Sequence, residues 1–370
     1  MDDKKNGRFL ILIGSLLLTV SEWYTFFLVS QVSFFVLSLY VGILIYTLGF
    51  IGRVSGSILF GYIGDKMGRR HSIILSAVMI ILSTSLILIS PSNLLFLVIA
   101  RTLQGLSLGG EWGAASTILA ESYLNSNYRV FILSLNQLSV PLGIILSTFS
   151  ILVLSIINKV EDWNLFLLLP ILLSSISLFT FKDLGETKSP STSKIPLWEA
   201  IRDDWKNILL AIGVKISESS NYYIFTSYVF SESLSVSEIS TIVLIATITQ
   251  LFTMPLFGYL ANSFGVKRVI LSGIVIYVIG ATLFLYNITL AELTLSVSNS
   301  ALYSPQSSLF VDLFKSKYRV SGTNFSYQLA SILGGSMVPS VLALYHLPLL
   351  SLVIPISIIS LVSISYVKLK

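Results

Sequence analysis

The chain has 370 residues, of which 54% are hydrophobic and only 11% are Asp, Glu, Lys or Arg, and its mean hydropathy is +0.86. Soluble domains carry about 25% charged residues, so this composition excludes a fully hydrated fold and indicates an integral membrane protein. The formal charge of +5 is dispersed through short loops, which argues against a nucleic-acid partner. The absence of cysteine excludes disulfides and thiolate metal sites, and the two histidines form no metal-ligand cluster.

Apolar windows of about 20 residues, the length that crosses a bilayer as a helix, predict the membrane spans. Taken in chain order, the twelve predicted spans cover residues 9–30, 39–63, 72–90, 94–121, 130–157, 164–181, 206–230, 236–262, 268–286, 288–313, 320–344 and 348–367. The sequence therefore predicts an all-α bundle of twelve membrane helices.

The loops between these spans differ strongly in their basic residues. When the loops are assigned alternately to the two sides, one side holds 19 Lys and Arg residues and the other side holds one, Lys159. Basic loops stay on the cytoplasmic side of a membrane. We therefore expect a multi-pass protein of the cell membrane with both termini in the cytoplasm.

The two halves of the chain repeat each other. Residues 61–70, after the second span, recur in degenerate form as 258–268 after the eighth span, and the tripeptide 128–130 recurs as 318–320. A repeat in the same membrane orientation is typical of two helical bundles related by an axis along the membrane normal, which rock about a central substrate site.

The longest polar stretch separates these repeats. It follows six spans and precedes six more, and it is rich in Ser, Thr, Lys and Pro. We therefore predict a six-helix bundle at 1–181, a cytoplasmic linker at 182–205 and a second six-helix bundle at 206–370.

Residues 61–70 resemble the loop 2–3 signature of the major facilitator superfamily. Its glycines permit a tight turn and close helix approach, and Asp65 can face the positive N-terminal end of a neighbouring helix. In the resembled family this cluster gates the cytoplasmic mouth, and Asn262 replaces the acidic residue in the second copy, which implies a weaker gate there. The gate residues that the resemblance implies are Gly61, Asp65, Lys66, Gly68, Arg69, Arg70, Glu121, Arg129, Asp312 and Arg319.

A finer resemblance, to the metabolite:proton symporter family, runs along both halves. Its motifs are Glu22-Trp23-Tyr24-x-Phe26, Arg101-x-x-Gln104-Gly105, Gln137-x-x-Val140-Pro141-Leu142-Gly143, Ser304-Pro305-Gln306 and Tyr327-Gln328-Leu329-Ala330. This resemblance implies proton-linked transport of a small organic acid, a zwitterionic osmolyte or an amino acid. A sugar-porter-like permease is the alternative within the same superfamily.

In the resembled family an acidic residue of the first helix exchanges the coupling proton, and an arginine of the fourth helix modulates it. Thr25 stands where the acidic residue is expected, and Glu22 lies three residues earlier. At 1.5 Å per residue, Glu22 and Arg101 both lie about 11 Å below the outer surface, so we expect them to pair. If that pair is only structural, the protein is an uncoupled facilitator or exchanger.

Arg53 and Glu111 lie at the same depth in the membrane as each other, at a different level from Glu22 and Arg101. This equal depth predicts a second pair, with a structural role. Gly105, Gly109 and Gly113 repeat every four residues on one helix, a spacing typical of close helix packing.

Polar and aromatic residues within the spans are the candidates for a substrate cavity. For the ionisable ones, placing the side chain in the membrane costs about 2.5–3.5 kcal/mol or more, so a functional reason is expected. They are Trp23, Gln104, Gln137, Lys215, Glu218, Asn221, Tyr222, Gln306 and Gln328. The amides can equally hold helices together, and Lys215 and Glu218, three residues apart, can neutralise each other. The cations Arg101 and Lys215 favour an anionic or zwitterionic substrate.

The sequence holds no zinc-protease, nucleophile-elbow or nucleotide-loop motif, so we expect no enzyme activity and no ATP-driven pump. We expect no cofactor other than a proton as the coupling ion. The expected partners are the lipid bilayer and a small metabolite, and the expected state is a monomer.

Overall fold

The computed structural model describes residues 2–124, 126–181 and 194–368, and their regular structure is helical. The α-helices are α1 Asp2–Phe35, α2 Leu39–Lys66, α3 Arg69–Ile89, α4 Leu94–Ser122, α5 Arg129–Asn136, α6 Ser139–Ile156, α7 Leu168–Phe181, α8 Pro196–Thr226, α9 Val236–Phe264, α10 Val266–Leu283, α11 Ile288–Tyr303, α12 Gln306–Leu313, α13 Arg319–Ala330, α14 Met337–Tyr345 and α15 Leu350–Tyr366. Single 3-10 turns cover Val160–Leu167, Tyr228–Ser231 and Ser316–Tyr318, and a π-helical segment covers Ser331–Ser336.

Within the described residues, nine helical segments are long and apolar enough to cross a membrane. They are Ile13–Phe34, Leu39–Lys66, Arg69–Ile89, Leu94–Glu121, Arg129–Ile156, Val160–Thr180, Val236–Phe264, Val266–Leu283 and Ser316–Tyr345. The other three predicted spans are the more polar α8, the broken pair α11 and α12, and α15, which has 17 residues. The prediction of an all-α membrane bundle with twelve spans is confirmed.

Three of the spans are interrupted at polar residues. The fifth span breaks at Gln137 between α5 and α6, and Pro141 is tolerated because it falls in the first turn of α6. The tenth span breaks at Ser304-Pro305, just before Gln306. The eleventh passes through the π-helical segment that begins at Ser331, and π-bulges are frequent at functional sites. Gln137, Gln306 and Ser331 all return in the polar networks described below.

The predicted linker is only partly described. Residues 182–193 lie outside the described part of the chain, whereas residues 196–205 are helical and form the first turns of α8. Pro196 occupies the first turn, where its fixed φ favours a helix start, and the backbone departs from helical geometry at Asp204. The helix that contains the seventh predicted span thus begins at Pro196, within the predicted linker. The division into two bundles stays a prediction.

The closest helix pair in the first half is α2 and α4, and glycines on both helices permit it. A Cβ atom on Gly105 would lie 2.2 Å from the carbonyl oxygen of Gly49, and one on Gly109 would lie 2.1 Å from that of Arg53. Gly113 differs, because it faces the side chain of Asn324 on α13 rather than backbone. The predicted close packing is therefore present at Gly105 and Gly109.

We expect Gly109→Ala to lower the free energy of unfolding by about 1–3 kcal/mol, because the added methyl group meets backbone that cannot rotate away. The measurement is the apparent melting temperature of the purified chain in detergent. Ser116→Ala on the same helix is the control, since the Ser116 hydroxyl is buried without a hydrogen-bond partner. Equal melting temperatures for the two variants would contradict the packing argument.

Candidate functional site

Arg53 of α2 is buried against residues that lie far along the chain. Its Nε donates to Oε1 of Gln328 at 2.7 Å, its Nη1 donates to the hydroxyl of Tyr223 at 2.5 Å, and its Nη2 donates to Oγ of Ser331 at 3.4 Å. The ring centroid of Tyr327 lies 6.0 Å from the Arg53 guanidinium carbon. We call the set Arg53, Tyr223, Tyr327, Gln328 and Ser331 the junction cluster. Among the described residues, the hydrogen-bond acceptors of Arg53 are neutral, and Glu22 lies within electrostatic reach of its charge without a direct contact.

The predicted pair of Arg53 and Glu111 is wrong. Glu111 instead accepts a hydrogen bond from Thr19 Oγ1 of α1 at 2.7 Å. Both residues are 1% exposed, so each is buried in the bundle with a different set of partners. The two side chains leave their helices in different directions, and depth along a helix carries no information about that rotation.

The predicted pair of Glu22 and Arg101 is wrong for the same reason. Oε1 of Glu22 accepts from the hydroxyls of Ser76 at 3.0 Å and Ser107 at 2.7 Å. Arg101 donates to the backbone oxygens of Ile45 and Phe26, both at 3.2 Å, and lies with its guanidinium carbon 4.0 Å from the Phe26 ring centroid. Arg101 thus ties α1, α2 and α4 together, and Glu22 has hydroxyl partners only.

Lys215 and Glu218 of α8 form a buried ion pair, as their spacing predicts. Lys215 Nζ also donates to Oε1 of Gln306 on α12 at 3.1 Å, and Asn299 Nδ2 of α11 donates to Oε1 of Glu218 at 3.3 Å. The ammonium lies 3.6 Å from the ring centroid of Tyr327, which also belongs to the junction cluster. The structure therefore places this ion pair beside the junction cluster.

Aromatic rings fill the space around these charges. Tyr327 stacks on Trp112 with centroids 4.0 Å apart, and Phe50 contacts Tyr223 edge-on at 4.7 Å. Trp23 stacks on Phe27 at 5.4 Å. The predicted cavity residues are no more than 3% exposed, so the centre of the bundle is closed to solvent on both sides.

The remaining predicted cavity residues divide by location. Gln137 accepts from Trp112 Nε1 at 3.1 Å, which places it next to Tyr327 through the stacked indole. Gln104 bonds to Arg101, and Asn221 donates to Leu295 and Ser298 of α11, so both face helix contacts. The buried polar atoms of this set that lack a partner are Gln104 Nε2, Gln137 Nε2, Asn221 Oδ1, Tyr222 hydroxyl and Gln306 Nε2.

At the basic-loop end of the bundle, Asp65 caps a helix from the other half of the chain. Its Oδ2 accepts from the backbone N–H of Ser321 at 3.1 Å and from the Ser321 hydroxyl at 2.7 Å. Ser321 lies in the first turn of α13, so the expected contact of Asp65 with a helix N-terminus is confirmed. Gly61 makes this approach possible, because a Cβ there would lie 3.0 Å from the Ser321 Cα.

Ion pairs at the same end also join residues that are distant in the chain. Arg69 pairs with Glu121 at 3.1 Å, and Glu121 lies 3.7 Å from Arg319. Arg129 binds both oxygens of Asp312, at 3.0 and 3.1 Å. We call the set Asp65, Arg69, Glu121, Arg129, Asp312, Arg319 and Ser321 the basic-loop cluster.

The other predicted gate residues lie beside this cluster. Gly68, between α2 and α3, has φ +110°, a conformation that favours glycine. Lys66 and Arg70 flank it and are half-buried. Asn262 donates to the backbone oxygen of Asn127 at 3.0 Å, a contact that again links the two halves.

Sequence reasoning missed several residues that complete these networks. They are Tyr223, Asn299, Tyr327 and Ser331. Tyr327 belongs to a quoted motif and Tyr223 follows a predicted cavity residue, so adjacency was an available signal for both. Asn299 and Ser331 carry no such signal, because Asn299 lies among several serines of α11 and nothing in the sequence distinguishes Ser331 from the many other serines in the spans.

Comparison with known proteins finds a transporter family profile and several bacterial transport proteins. A family profile described as "Sugar (and other) transporter" matches residues 10–189. The chain is 27% identical to the shikimate transporter of Escherichia coli (strain K12), over 80% of this chain and 75% of that protein. It is 27% identical to the inner membrane metabolite transport protein YhjE of the same organism, over 91% of this chain and 88% of that protein. Its identity to the alpha-ketoglutarate permease of the same organism is 26%, over 79% and 74% of the two chains.

Proposed function

We propose that the chain is a member of the major facilitator superfamily of membrane transporters, and that it carries a small organic acid across the cell membrane by alternating access, with a proton as the coupling ion. The protein is a transporter of small metabolites and not an enzyme. A zwitterionic osmolyte or an amino acid is the second candidate substrate, since each also carries a carboxylate.

The observation that carries the proposal is the charge of Arg53 in the junction cluster. A buried cation in the membrane needs a reason, and its protein partners here are neutral. A guanidinium binds a carboxylate through two parallel hydrogen bonds, about twice as strong as bonds to neutral groups. A substrate carboxylate that displaces the Tyr223 or Ser331 hydroxyl would supply the missing negative charge.

The relatives support this substrate class by their names. Shikimate and alpha-ketoglutarate, after which two of them are named, are both organic acids. We place the carboxylate of the transported compound at Arg53, between the proposed bundles 1–181 and 206–370. Uptake of labelled shikimate, alpha-ketoglutarate and glycine betaine into proteoliposomes tests the class, and a flux of sugars without any flux of acids would contradict it.

We further propose that the basic-loop cluster is the cytoplasmic gate, in its closed state. Its contacts join residues 65 and 321, 121 and 319, and 129 and 312, so they link the two proposed bundles. Opening the cytoplasmic side by rocking requires these contacts to break together. The proposed orientation, with both termini in the cytoplasm, rests on the basic loops. We further propose that the protein acts as a monomer.

Proton coupling in this proposal uses Glu22 in place of the absent acid at Thr25. Glu22 is buried, has hydroxyl partners only and touches no cation, so its carboxyl can gain a proton without breaking an ion pair. The cation within electrostatic reach of Glu22 is Arg53, whereas the hydrogen bonds of Arg101 go to other residues of the first half.

We expect Glu22→Gln to remove the accumulation that the Glu22 proton drives under an inward proton gradient, while substrate exchange continues. With a gradient of about one pH unit, each coupled proton supports about tenfold accumulation, so the variant should accumulate about tenfold less than the unsubstituted chain. Thr19→Val is the control, because Thr19 lies one turn away and binds Glu111 instead. Unchanged accumulation in Glu22→Gln would remove Glu22 from the mechanism, and equilibration without accumulation by the unsubstituted chain would favour a facilitator.

A further inference from the structure

We propose that Glu218 is a second proton-exchange site, in the second half of the chain, and that an anionic substrate loads it with a proton by drawing Lys215 away. This inference rests on the proposed function for the substrate but not for the proton site itself. It assigns the ion pair of α8 a proton-exchange role in addition to the one proposed for Glu22 in the first half.

Lys215 contacts two groups of residues at once. It pairs with Glu218, and it also donates to Gln306 and lies against the Tyr327 ring. Within the described residues, Lys215 is the cation that contacts Glu218, and the other partners of Glu218 are Asn299 Nδ2 at 3.3 Å and the Ser219 hydroxyl at 3.4 Å. A buried ion pair that loses one partner leaves an uncompensated charge, which is strongly unfavourable.

The other titratable groups around Glu218 are tyrosines. Tyr222 and Tyr223 on its own helix, Tyr303 on α11 and Tyr327 on α13 lie within electrostatic reach of its carboxylate. On α10, Tyr277 is engaged with Ser220 at 2.6 Å. α12 brings Gln306 and Ser307, and α14 and α15 contain no acidic or basic residue. In α2, Arg53 lies within electrostatic reach of Lys215.

Tyr327 connects the ion pair to the proposed substrate position. Its ring centroid lies 3.6 Å from Lys215 Nζ and 6.0 Å from the Arg53 guanidinium carbon. A carboxylate held by Arg53 beside this ring is therefore next to a second cation. We infer that it takes hydrogen bonds from the Lys215 ammonium in competition with Glu218.

The proton balance of this step is simple. Lys215 stays protonated and moves toward the substrate anion, and Glu218, left without a cation in a buried site, takes a proton from water onto Oε2. When the substrate leaves on the other side, Lys215 returns and the proton leaves Glu218. Substrate binding and proton binding then favour each other by the same factor, as linkage requires.

A second glutamate in the same half provides a matched control. Glu292 of α11 is fully buried, and neither of its carboxylate oxygens has a hydrogen-bond partner. It touches no cation in the part of the chain that the structure describes, so its protonation should not depend on Lys215. Glu292→Gln makes the same chemical change as Glu218→Gln at equal burial.

The direct test reads the carboxyl group and needs no substrate. Infrared spectra of the full chain in lipid report protonated carboxyl groups through their C=O stretch. We expect Lys215→Gln to add one protonated-carboxyl band at neutral pH, and we expect the double change Lys215→Gln with Glu218→Gln to remove it. The double variant leaves no unpaired buried charge at either position, which protects the fold. Glu22→Gln or Glu292→Gln combined with Lys215→Gln should keep the added band.

The transport test uses labelled shikimate and alpha-ketoglutarate. In a gradient of about one pH unit each coupled proton contributes about a tenfold factor, so we expect Glu218→Gln to lower accumulation about tenfold, with counterflow retained, and Glu292→Gln to leave both unchanged. No added band in Lys215→Gln overturns the proton site, whatever the transport result. Failure of the unsubstituted chain to move either acid overturns the proposed function instead, and the infrared result still decides the proton site.

Discussion

Replacing Arg53 with glutamine should raise the KM for an organic acid by about 30-fold or more. Removing one partner of a buried, hydrogen-bonded charge pair costs about 2–5 kcal/mol, and each 1.4 kcal/mol is tenfold in affinity. Arg53→Lys keeps the charge but loses the fork that contacts Gln328, Tyr223 and Ser331 at once, so we expect a smaller but clear rise. Initial rates of uptake against concentration give the measurement.

Arg101→Lys is the matched control for this prediction. Arg101 is also fully buried, but its partners Phe26, Ser30, Ile45 and Gln104 all lie in the first half of the chain. We therefore expect Arg101→Lys to lower the apparent melting temperature while the substrate KM stays near its original value. An unchanged KM in both Arg53 variants would place the substrate away from the junction cluster.

Replacing Asp65 with asparagine should shift the protein toward a state that is open at the basic-loop end. The asparagine oxygen can still accept from Ser321, but the two charge-assisted hydrogen bonds become neutral ones, which are weaker by about 1 kcal/mol each. A shift of 1.4 kcal/mol changes a conformational ratio tenfold, so we expect accessibility from that side to rise about tenfold or more. Transport should slow, because an open gate that closes poorly cannot complete the cycle.

The absence of native cysteine makes this measurement direct. Ser307→Cys on α12 lies between Gln306 of the Lys215 network and Asp312 of the basic-loop cluster, and Ser307 is 2% exposed with no hydrogen-bond partner. Its rate of labelling by a membrane-impermeant maleimide in inside-out vesicles reports opening of the proposed cytoplasmic side.

Asp203→Asn provides the control at the same end of the bundle. Hydrogen bonds from Arg202 and Lys317 hold the pKa of Asp203 at about 2, so this variant also removes a full negative charge. Both partners lie in the second half of the chain, and the contact between halves is left intact. Equal labelling rates for Asp65→Asn and Asp203→Asn would contradict the gate.

The sequence alone determined the features that depend on neighbours along the chain. Apolar windows predict the membrane spans because hydrophobic length is a local property. The Lys215–Glu218 pair is predicted by the spacing of three residues on one helix. The glycine repeat predicts close helix packing, and the structure has that packing between α4 and α2 at Gly105 and Gly109. Each of these needs only helix geometry and no knowledge of the partner.

The tertiary structure decided which buried charges meet. Depth estimates for Glu22, Arg101, Arg53 and Glu111 are translations along a helix axis, whereas a contact also requires the rotation of each helix and its neighbours. Arg53 reaches Tyr223 and Gln328 across separations of 170 and 275 residues, which no local pattern encodes. The packing of α2 against α8 and α13 turned a predicted structural pair into an arginine without a carboxylate partner, and that cation is the centre of the proposed substrate site.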